Sequence, residues 1–524
     1  MIHRSQFPDV PLPDQSVHGL LLDRLAELGD APAVIDGPTG RSISFAQVGR
    51  LARRLASGLV ARGLAKGEVV ALVLPNVIEY PGLFLGISLA GGVASTVNPI
   101  LTEEEIGTLL REGRARLAIT TPELIEKVEP ATARAGVETV YVLGEAATGS
   151  TPSVETLLDD EPATPPSVEP ATDLVALPFS SGTSGRSKGV MLSHANVVAQ
   201  VKLIDAATGF PSGVPVMVVL PFFHIYGLTV IMLLSLWKGN SQVVMQRFEL
   251  EPFLQCLERY RVVWAPVVPP IVLALAKHPA VDRYDLSSVQ YLMSGAAPLG
   301  AEVEAAAAAR LGCRVNQGYG MTELSGASHV LPVEQAGQHP GSCGLLMPNH
   351  ELRIVDPETG ESVGANHRGE LWIRGPMVME GYLGRDDATA ATIVEDGWLR
   401  TGDIGYVDDA GYCYVVDRLK ELIKYKGYQV APAALEAVLV SHPEITDAAV
   451  IPSPDAEAGE VPKAFVVCKR PLTAETVIDF VAERVAPYQK VRRVAFVDSI
   501  PKSASGKILR RILVEEERRA AATS

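Results

Sequence analysis

Residues 180–190 read SSGTSGRSKGV, three glycines, five hydroxyl side chains and two cations, Arg186 and Lys188, set between apolar runs. Glycine frees backbone amides, short hydroxyls add donors and the cations balance charge, so the stretch suits a polyphosphate, whose anionic oxygens each accept several hydrogen bonds. The P-loop pattern G-x-x-x-x-G-K-[ST] places lysine directly after glycine and a hydroxyl after lysine. Here Lys188 stands between Ser187 and Gly189. This is not a Walker loop, which argues against a kinase or a motor ATPase. A flexible Gly/Ser linker has the same composition. Its flanks, LVALPFS before and HANVVAQVKLI after, argue against that and place the loop where a strand joins further structure.

Other chemistry-bearing residues sit in unusual surroundings. NQGYGMTE puts Tyr319 between two glycines, with Thr322 and Glu323 following. RTGDIGY carries Asp403, an acceptor, and SASGKILRR carries Lys507 directly after a glycine. PFFHIYG places His224 and Tyr226 in an apolar stretch, where a lone histidine is more often a satisfied core residue. In KELIKYKG the lysines equally suit a solvated helix or strand end.

Positioning these groups falls to a chain of 524 residues, too long for a single core. Its net charge of −15 speaks against a general nucleic-acid or anionic-membrane binder, so any phosphate site is local. Residues 418–524 are the exception, with 17 Lys and Arg against 14 Asp and Glu. Five scattered cysteines without a C-x-x-C pair suggest neither a disulfide framework nor a zinc site and fit a reducing cytoplasm. The N-terminus has prolines and charges where a signal peptide needs an apolar run. The most apolar stretches, 214–237 and 262–276, are interrupted by prolines and read as buried core, without stable membrane insertion.

From about residue 16 to 250, helical segments such as FAQVGRLARRLASGLVARG alternate with short apolar runs such as VVALVLP, which predicts α/β units around parallel sheet. After residue 340, short alternating runs predict a small β-rich subdomain. Beyond Arg418 an αβ pattern resumes. The expected architecture is α/β: a large N-terminal domain of several subdomains, residues 1–417, and a small mobile α+β domain, residues 418–524. Their boundary, 417–420, is rich in charge and poor in Gly and Pro, which suits a hinge.

Together SSGTSGRSKGV, LPFFHIYGL, SGAAPLG, NQGYGMTE, GELWIRGP, GWLRTGDIGYVDDAGYCYVVDRLKELIKYKGYQVAP and PKSASGKILRR resemble, in order and spacing, the adenylate-forming acyl-CoA synthetases, most nearly those of the 4-coumarate–CoA ligase type. The resemblance implies that ATP activates a carboxylate to an acyl-AMP with loss of pyrophosphate, and that the coenzyme A thiol then displaces AMP. It implies Lys507 as the catalytic lysine between carboxylate and α-phosphate. One charge at ~4 Å is worth about 4 kcal/mol at an effective dielectric near 20, on the order of a thousandfold in rate.

By the same resemblance, Ser180, Ser181, Gly182, Thr183, Ser184, Gly185 and Lys188 wrap the outer phosphates. Thr322 contacts phosphate, and Glu323 holds Mg2+ as a hard oxygen ligand. Gln317, Gly318, Tyr319, Gly320 and Met321 lie along adenine and acyl group, and Asp403 accepts from the ribose hydroxyls. Arg418 contacts ribose or phosphate, Lys420 marks the hinge, Lys424 and Gln429 meet AMP, and Lys426 and Gly427 meet coenzyme A. His224 becomes a gate beside the acyl carboxylate. Tyr226 matches a position near the substrate's ring hydroxyl. Ser294, Gly295, Ala296, Ala297 and Gly318 are small, and suit either a flat slot for an aromatic ring or tight turns.

Met293, where plant relatives carry lysine, and residues 324–328 depart from the pattern and touch substrate choice. The expected substrate is a hydroxycinnamate such as 4-coumarate, with a medium- or long-chain fatty acid as the alternative. A nucleotide-binding regulator without catalysis is the reading from another class. The expected state is monomer or homodimer.

Overall fold

The computed structural model describes residues 1–144, 151–161, 164–181, 187–426, 428–455, 457–503 and 506–523. The helices read from the sequence form where side chains close their ends. In Phe45–Ala61 the Ser44 hydroxyl accepts from the Gln47 amide and the Gln47 side chain accepts from the Ser44 amide, and Val48, Ala52, Leu55 and Leu59 fill one buried face. Between such helices run strands like Val69–Val73, buried at every position, as expected where helices cover both faces of a sheet.

The described residues form three sheets. The first has fifteen strands. Pro32–Asp36, Ser241–Val244, Pro215–Val218, Trp264–Val267, Tyr291–Ser294 and Arg314–Met321 are its parallel part, and it turns antiparallel at Gly326–Val330. The β-rich stretch after residue 340 is present, and its strands Gly344–Leu346, Tyr412–Arg418, Trp398–Val407, Gly369–Arg374 and Glu351–Val355 extend this same sheet.

The second sheet has eight strands, with Val69–Val73 between Val93–Val97 and Ala115–Thr120 at its parallel centre. Ser187–Ser193 lies antiparallel to Leu174–Ala176 at one side, and beyond it pairs Gly381–Tyr382. One apolar core draws on both sheets, from Val70 and Leu72 to Val216 and Leu292. The third sheet, of five strands, starts at Ile423–Tyr425 and has its own core around Leu435, Leu439, Val450, Val466 and Val477.

The apolar stretches are interior. Residues Tyr226–Leu233 form a π-helix that runs on as Leu234–Lys238, almost wholly buried. Among the described residues no helix is long and apolar enough to cross a membrane.

Candidate active site

Strand Arg314–Met321 carries the NQGYG motif along the seam where the large sheet changes from parallel to antiparallel. Gly320 is required there: a Cβ would lie 1.9 Å from the Gly326 carbonyl oxygen. The chain then makes one 3-10 turn, Thr322–Leu324, and reverses through Ser325 at φ 56°. Thr322 and Glu323 are both buried in this turn.

The Tyr319 hydroxyl donates to Asp403 Oδ2 at 2.6 Å. Asp403 faces Arg418 across the antiparallel ladder, and Arg418 Nε lies 3.5 Å from Oδ1. Burial pushes the Asp403 carboxyl up from its ordinary value, against the pull of Arg418, Tyr319 and Lys507. The cation is affected in the opposite way: burial lowers Arg418, but Asp403 and the neighbouring acids outweigh it and hold it above its usual range.

Lys507 comes to this cluster from the far end of the chain. Its turn is tied by hydrogen bonds from the Ser503 amide to the Lys507 carbonyl at 2.8 Å and from the Lys507 amide to Ser503 Oγ at 3.1 Å. Gly506 sits at φ 77°, and a Cβ there would lie 2.9 Å from Val268 Cγ2, so the turn presses against the large domain. Burial and then the charge of Arg418 lower the Lys507 amine below its ordinary value, while Asp403, Glu323 and Glu421 partly restore it.

Lys507 also acts on His224. Burial, with the lysine's charge adding to it, brings His224 down to about 3. The ring is therefore neutral at pH 7. Its Nδ1 accepts from the Tyr226 amide at 3.3 Å, which leaves the proton on Nε2 for an acceptor.

The glycine-rich loop joins a hairpin. Ser187 pairs with Ser181, Lys188 with Ser180 and Gly189 with Phe179. Gly182, Thr183, Ser184 and Gly185 lie outside the described residues, as does Gly427. Ser180 Oγ is buried with no hydrogen-bond partner among the described residues. Lys188 Nζ sits 4.4 Å above the Tyr382 ring, and the Tyr382 hydroxyl donates to Glu323 Oε1 at 2.9 Å. One aromatic side chain thus connects the loop's lysine to the buried glutamate.

The small residues make a wall. Tyr226 donates its hydroxyl to the Met293 carbonyl at 3.0 Å and lies against Gly295, where a Cβ would come within 3.0 Å of the ring. Gly318 faces the Met293 methyl, Ala296 holds φ 70°, and Ser294 Oγ is buried with no partner among the described residues. Gln317 is engaged by protein: its amide bonds both the Leu299 amide and carbonyl, and Glu304 at 2.7 Å. It braces the end of SGAAPLG and the helix that follows it. Lys424, Lys426 and Gln429 stand exposed on the hairpin of the small sheet, and among the described residues none of them bonds to the cluster around Asp403.

A model of the AMP-binding enzymes matches residues 22–383, and one of the AMP-binding enzyme C-terminal domain matches residues 434–507. The chain belongs to the AMP-binding enzyme family. It is 43% identical to a 4-coumarate–CoA ligase of Pinus taeda over 98% of this chain and 97% of the relative. It is 44% identical to 4-coumarate–CoA ligase 1 of Petroselinum crispum over 98% and 96%. A crystal structure of an anthranilate CoA ligase in complex with anthranoyl-AMP matches with a TM-score of 0.91 at 26% identity, covering 98% of this chain and 99% of that one. As an adenylate-forming acyl-CoA synthetase, this AMP-binding enzyme is an acid–thiol ligase that uses ATP and coenzyme A and works through an acyl-AMP.

Two residues of this AMP-binding enzyme carry little or no sequence signal. Tyr382 is 59 positions from the glutamate it bonds, in GYLGR, which has no distinctive spacing. Arg510 bonds both Glu421 and Glu436, joining the tail to the residues just after the hinge and to helix Pro432–Ser441. The cation-rich ILRR run was the only hint of it.

Proposed function

We propose that this ligase activates a hydroxycinnamate such as 4-coumarate and that the residues gathered above divide the work. The observation carrying the reading is the convergence of Lys507 from the tail with Asp403, Glu323 and His224 from the large domain. These groups are close enough for Lys507 to depress His224 and for Asp403 and Glu323 to sustain Lys507. Asp403, fixed by Tyr319 and Arg418, accepts from the ribose hydroxyls. Lys507 stands between the two anions that must meet, carboxylate and α-phosphate, and neutral His224 donates from Nε2 to the acyl carboxylate. Ser180, Ser181, Lys188 and the loop between them hold the outer phosphates, with Thr322 beside them.

Glu323 suits Mg2+. It is a buried hard oxygen donor whose carboxylate is hydrogen-bonded, among the described residues, by Tyr382 alone. No group of three or more His, Cys, Asp or Glu among the described residues could hold a metal. Magnesium commonly binds through one or two carboxylates completed by substrate phosphates and water. The ion, when bound, would supply charge neutralisation at the phosphates.

The second half-reaction needs another arrangement, since Lys426 and Gln429 point to solvent while Lys507 fills the site. We place the hinge at 417–420, between residues 1–417 and 418–524, with the small domain turning there to bring Lys426 and Gly427 to coenzyme A. A cytoplasmic location fits the five unpaired cysteines. For the acid, the small residues Gly295 and Gly318 beside Tyr226 suit an aromatic ring, and the 43% and 44% identity to 4-coumarate–CoA ligases supports a hydroxycinnamate. The test is a panel of coumarate, caffeate, cinnamate and octanoate, reading pyrophosphate release and thioester formation as kcat/KM. The hydroxycinnamates should lead. Octanoate ahead of them would support the fatty-acid reading, and no release with any acid a non-catalytic regulator.

A further inference from the structure

Beside the phosphate hairpin lies a cavity of about 300 Å3, outside the cluster around Asp403. Its wall is made by the end of helix Glu103–Glu112, the residues leading into strand Ala115–Thr120, the start of strand Ser187–Ser193 and the turn after Gly381–Tyr382. Four cations line it: Arg111, Arg114, Lys188 and Arg385. The one carboxylate there, Glu112, is engaged by Arg385 at 3.1 Å. Among the described residues Arg111, Arg114 and Lys188 have no anionic partner, in a protein with a net charge of −15. Arg114 holds a left-handed backbone, φ 54°, and its guanidinium lies over Gly384, where an added Cβ would be 3.7 Å from Nη2. A concave surface with three uncompensated positive charges focuses its field on a small multivalent anion.

Lys188 belongs both to this cavity and to the hairpin that the proposed function assigns to the outer phosphates. We propose that the cavity is a pyrophosphate site, taking the product as it leaves the glycine-rich loop and holding it on the way to solvent. This rests on the ligase reading, in which pyrophosphate departs from the loop while acyl-AMP stays against Asp403. Arg111 and Arg114 then lower the free energy of the released anion and set how strongly added pyrophosphate drives the reaction backwards. The phosphates of coenzyme A share this chemistry, so the test must separate the two sources.

The full-length double variant Arg111→Gln/Arg114→Gln is compared with the unaltered protein in acid-dependent pyrophosphate–ATP exchange and in calorimetric titration of inorganic pyrophosphate into the ligand-free chain. The pyrophosphate KM should rise about tenfold, the equivalent of ~1.4 kcal/mol, and calorimetric affinity should fall in parallel, with the coenzyme A KM unmoved. Arg111→Lys/Arg114→Lys, which keeps the charge and so the field in the cavity, should lose less than the glutamine variant. Unchanged pyrophosphate KM and affinity in the glutamine variant overturn the proposal. So does a raised coenzyme A KM with pyrophosphate unmoved, which gives the cavity to the cosubstrate. If the double variant loses its melting transition, Arg114→Gln alone is read by the same criteria. Absence of exchange with every acid counts against the ligase reading, and the calorimetry then still decides the cavity.

Discussion

Tyr319 and Asp403 lie 84 residues apart and share a 2.6 Å hydrogen bond, the tyrosine donating from the middle strand of the large sheet to a carboxylate that also faces Arg418. Asp403 is therefore held from two sides before any ligand arrives. Asp403→Asn keeps the shape and removes the charge. Charge-assisted hydrogen bonds are worth about 1.5–3 kcal/mol, so the ATP KM should rise by roughly ten- to a hundredfold. Tyr319→Phe removes one orienting bond and should shift it only by about fivefold. Pyrophosphate release at varied ATP measures both; equal effects would refute the division between acceptor and support.

Lys507→Ala should separate the half-reactions. Adenylation should fall on the order of a thousandfold, from the charge of about 4 kcal/mol that the lysine supplies. Thioester formation from pre-made acyl-AMP should change little. Gly506→Ala tests the same point without touching the amine. It forces a left-handed backbone onto alanine and drives a methyl toward Val268, so adenylation should again fall while the thioester step survives. Equal loss in both half-reactions would contradict a swinging small domain.

The small domain is held against the large one by Lys277. Lys277, at the end of helix Pro269–Lys277, donates to the Val440 carbonyl at 2.6 Å and the His442 carbonyl at 3.3 Å, where helix Pro432–Ser441 ends. A cation at a helix C-terminus is favourable by about 0.3–1 kcal/mol when exposed and more when partly buried. Lys277→Met should slow adenylation several-fold and leave the thioester step from supplied acyl-AMP unchanged. Slowing of both steps would mark Lys277 as a folding residue only.

The sequence made some of this legible and concealed the rest for physical reasons. Glycines at positions such as 320 and 506 are visible because only a hydrogen fits there, and alternation of apolar residues announces strands and capped helices. The motif residues Tyr319, Glu323, Asp403 and Lys507 were readable as chemistry. Their partners were not: Tyr382, Lys277 and Arg510 are ordinary side chains whose meaning depends on which strand or helix lies opposite. Gln317 shows the converse. Its place in a motif suggested a ligand contact, and the fold engages its amide with Leu299 and Glu304. Sequence spacing reports local geometry, whereas long-range pairing is set by packing of both domains.

Glu323 and Tyr382 provide a test of the metal. Glu323→Gln keeps a hydrogen-bond acceptor for Tyr382 and removes the anion, so the Mg2+ concentration for half-maximal adenylation should rise by roughly tenfold. Tyr382→Phe leaves the charge and loosens its orientation, and also removes the hydroxyl end of the ring under Lys188. It should raise the requirement by less. A Glu323→Gln variant with an unaltered Mg2+ dependence would place the ion elsewhere.

Acid should destabilise the fold through buried histidines. His194 accepts the Val17 amide at 3.1 Å on Nδ1, and burial brings it to about 3. His350, packed against Gly375, is brought by burial to about 4. Unfolded, both titrate near the ordinary histidine value, about 6.5. Below that pH the unfolded chain binds protons that the folded chain refuses, so stability is complete above about 6.5 and is lost as pH falls toward 4 and 3. Each group contributes about 1.4 kcal/mol per pH unit in that window. Glu436 opposes them: burial raises it to about 7 despite Arg510, so it disfavours the folded state as pH rises from about 4.5 to 7. His18 and His224, brought by burial to about 4 and about 3, act with His194 and His350, so four histidines oppose Glu436 and the raised carboxyls of Glu304, Asp403 and Asp417, and the melting temperature should fall between pH 6.5 and 5. His194→Gln should flatten that slope, and a slope unchanged by the substitution would show that His194 already carries its proton in the folded protein.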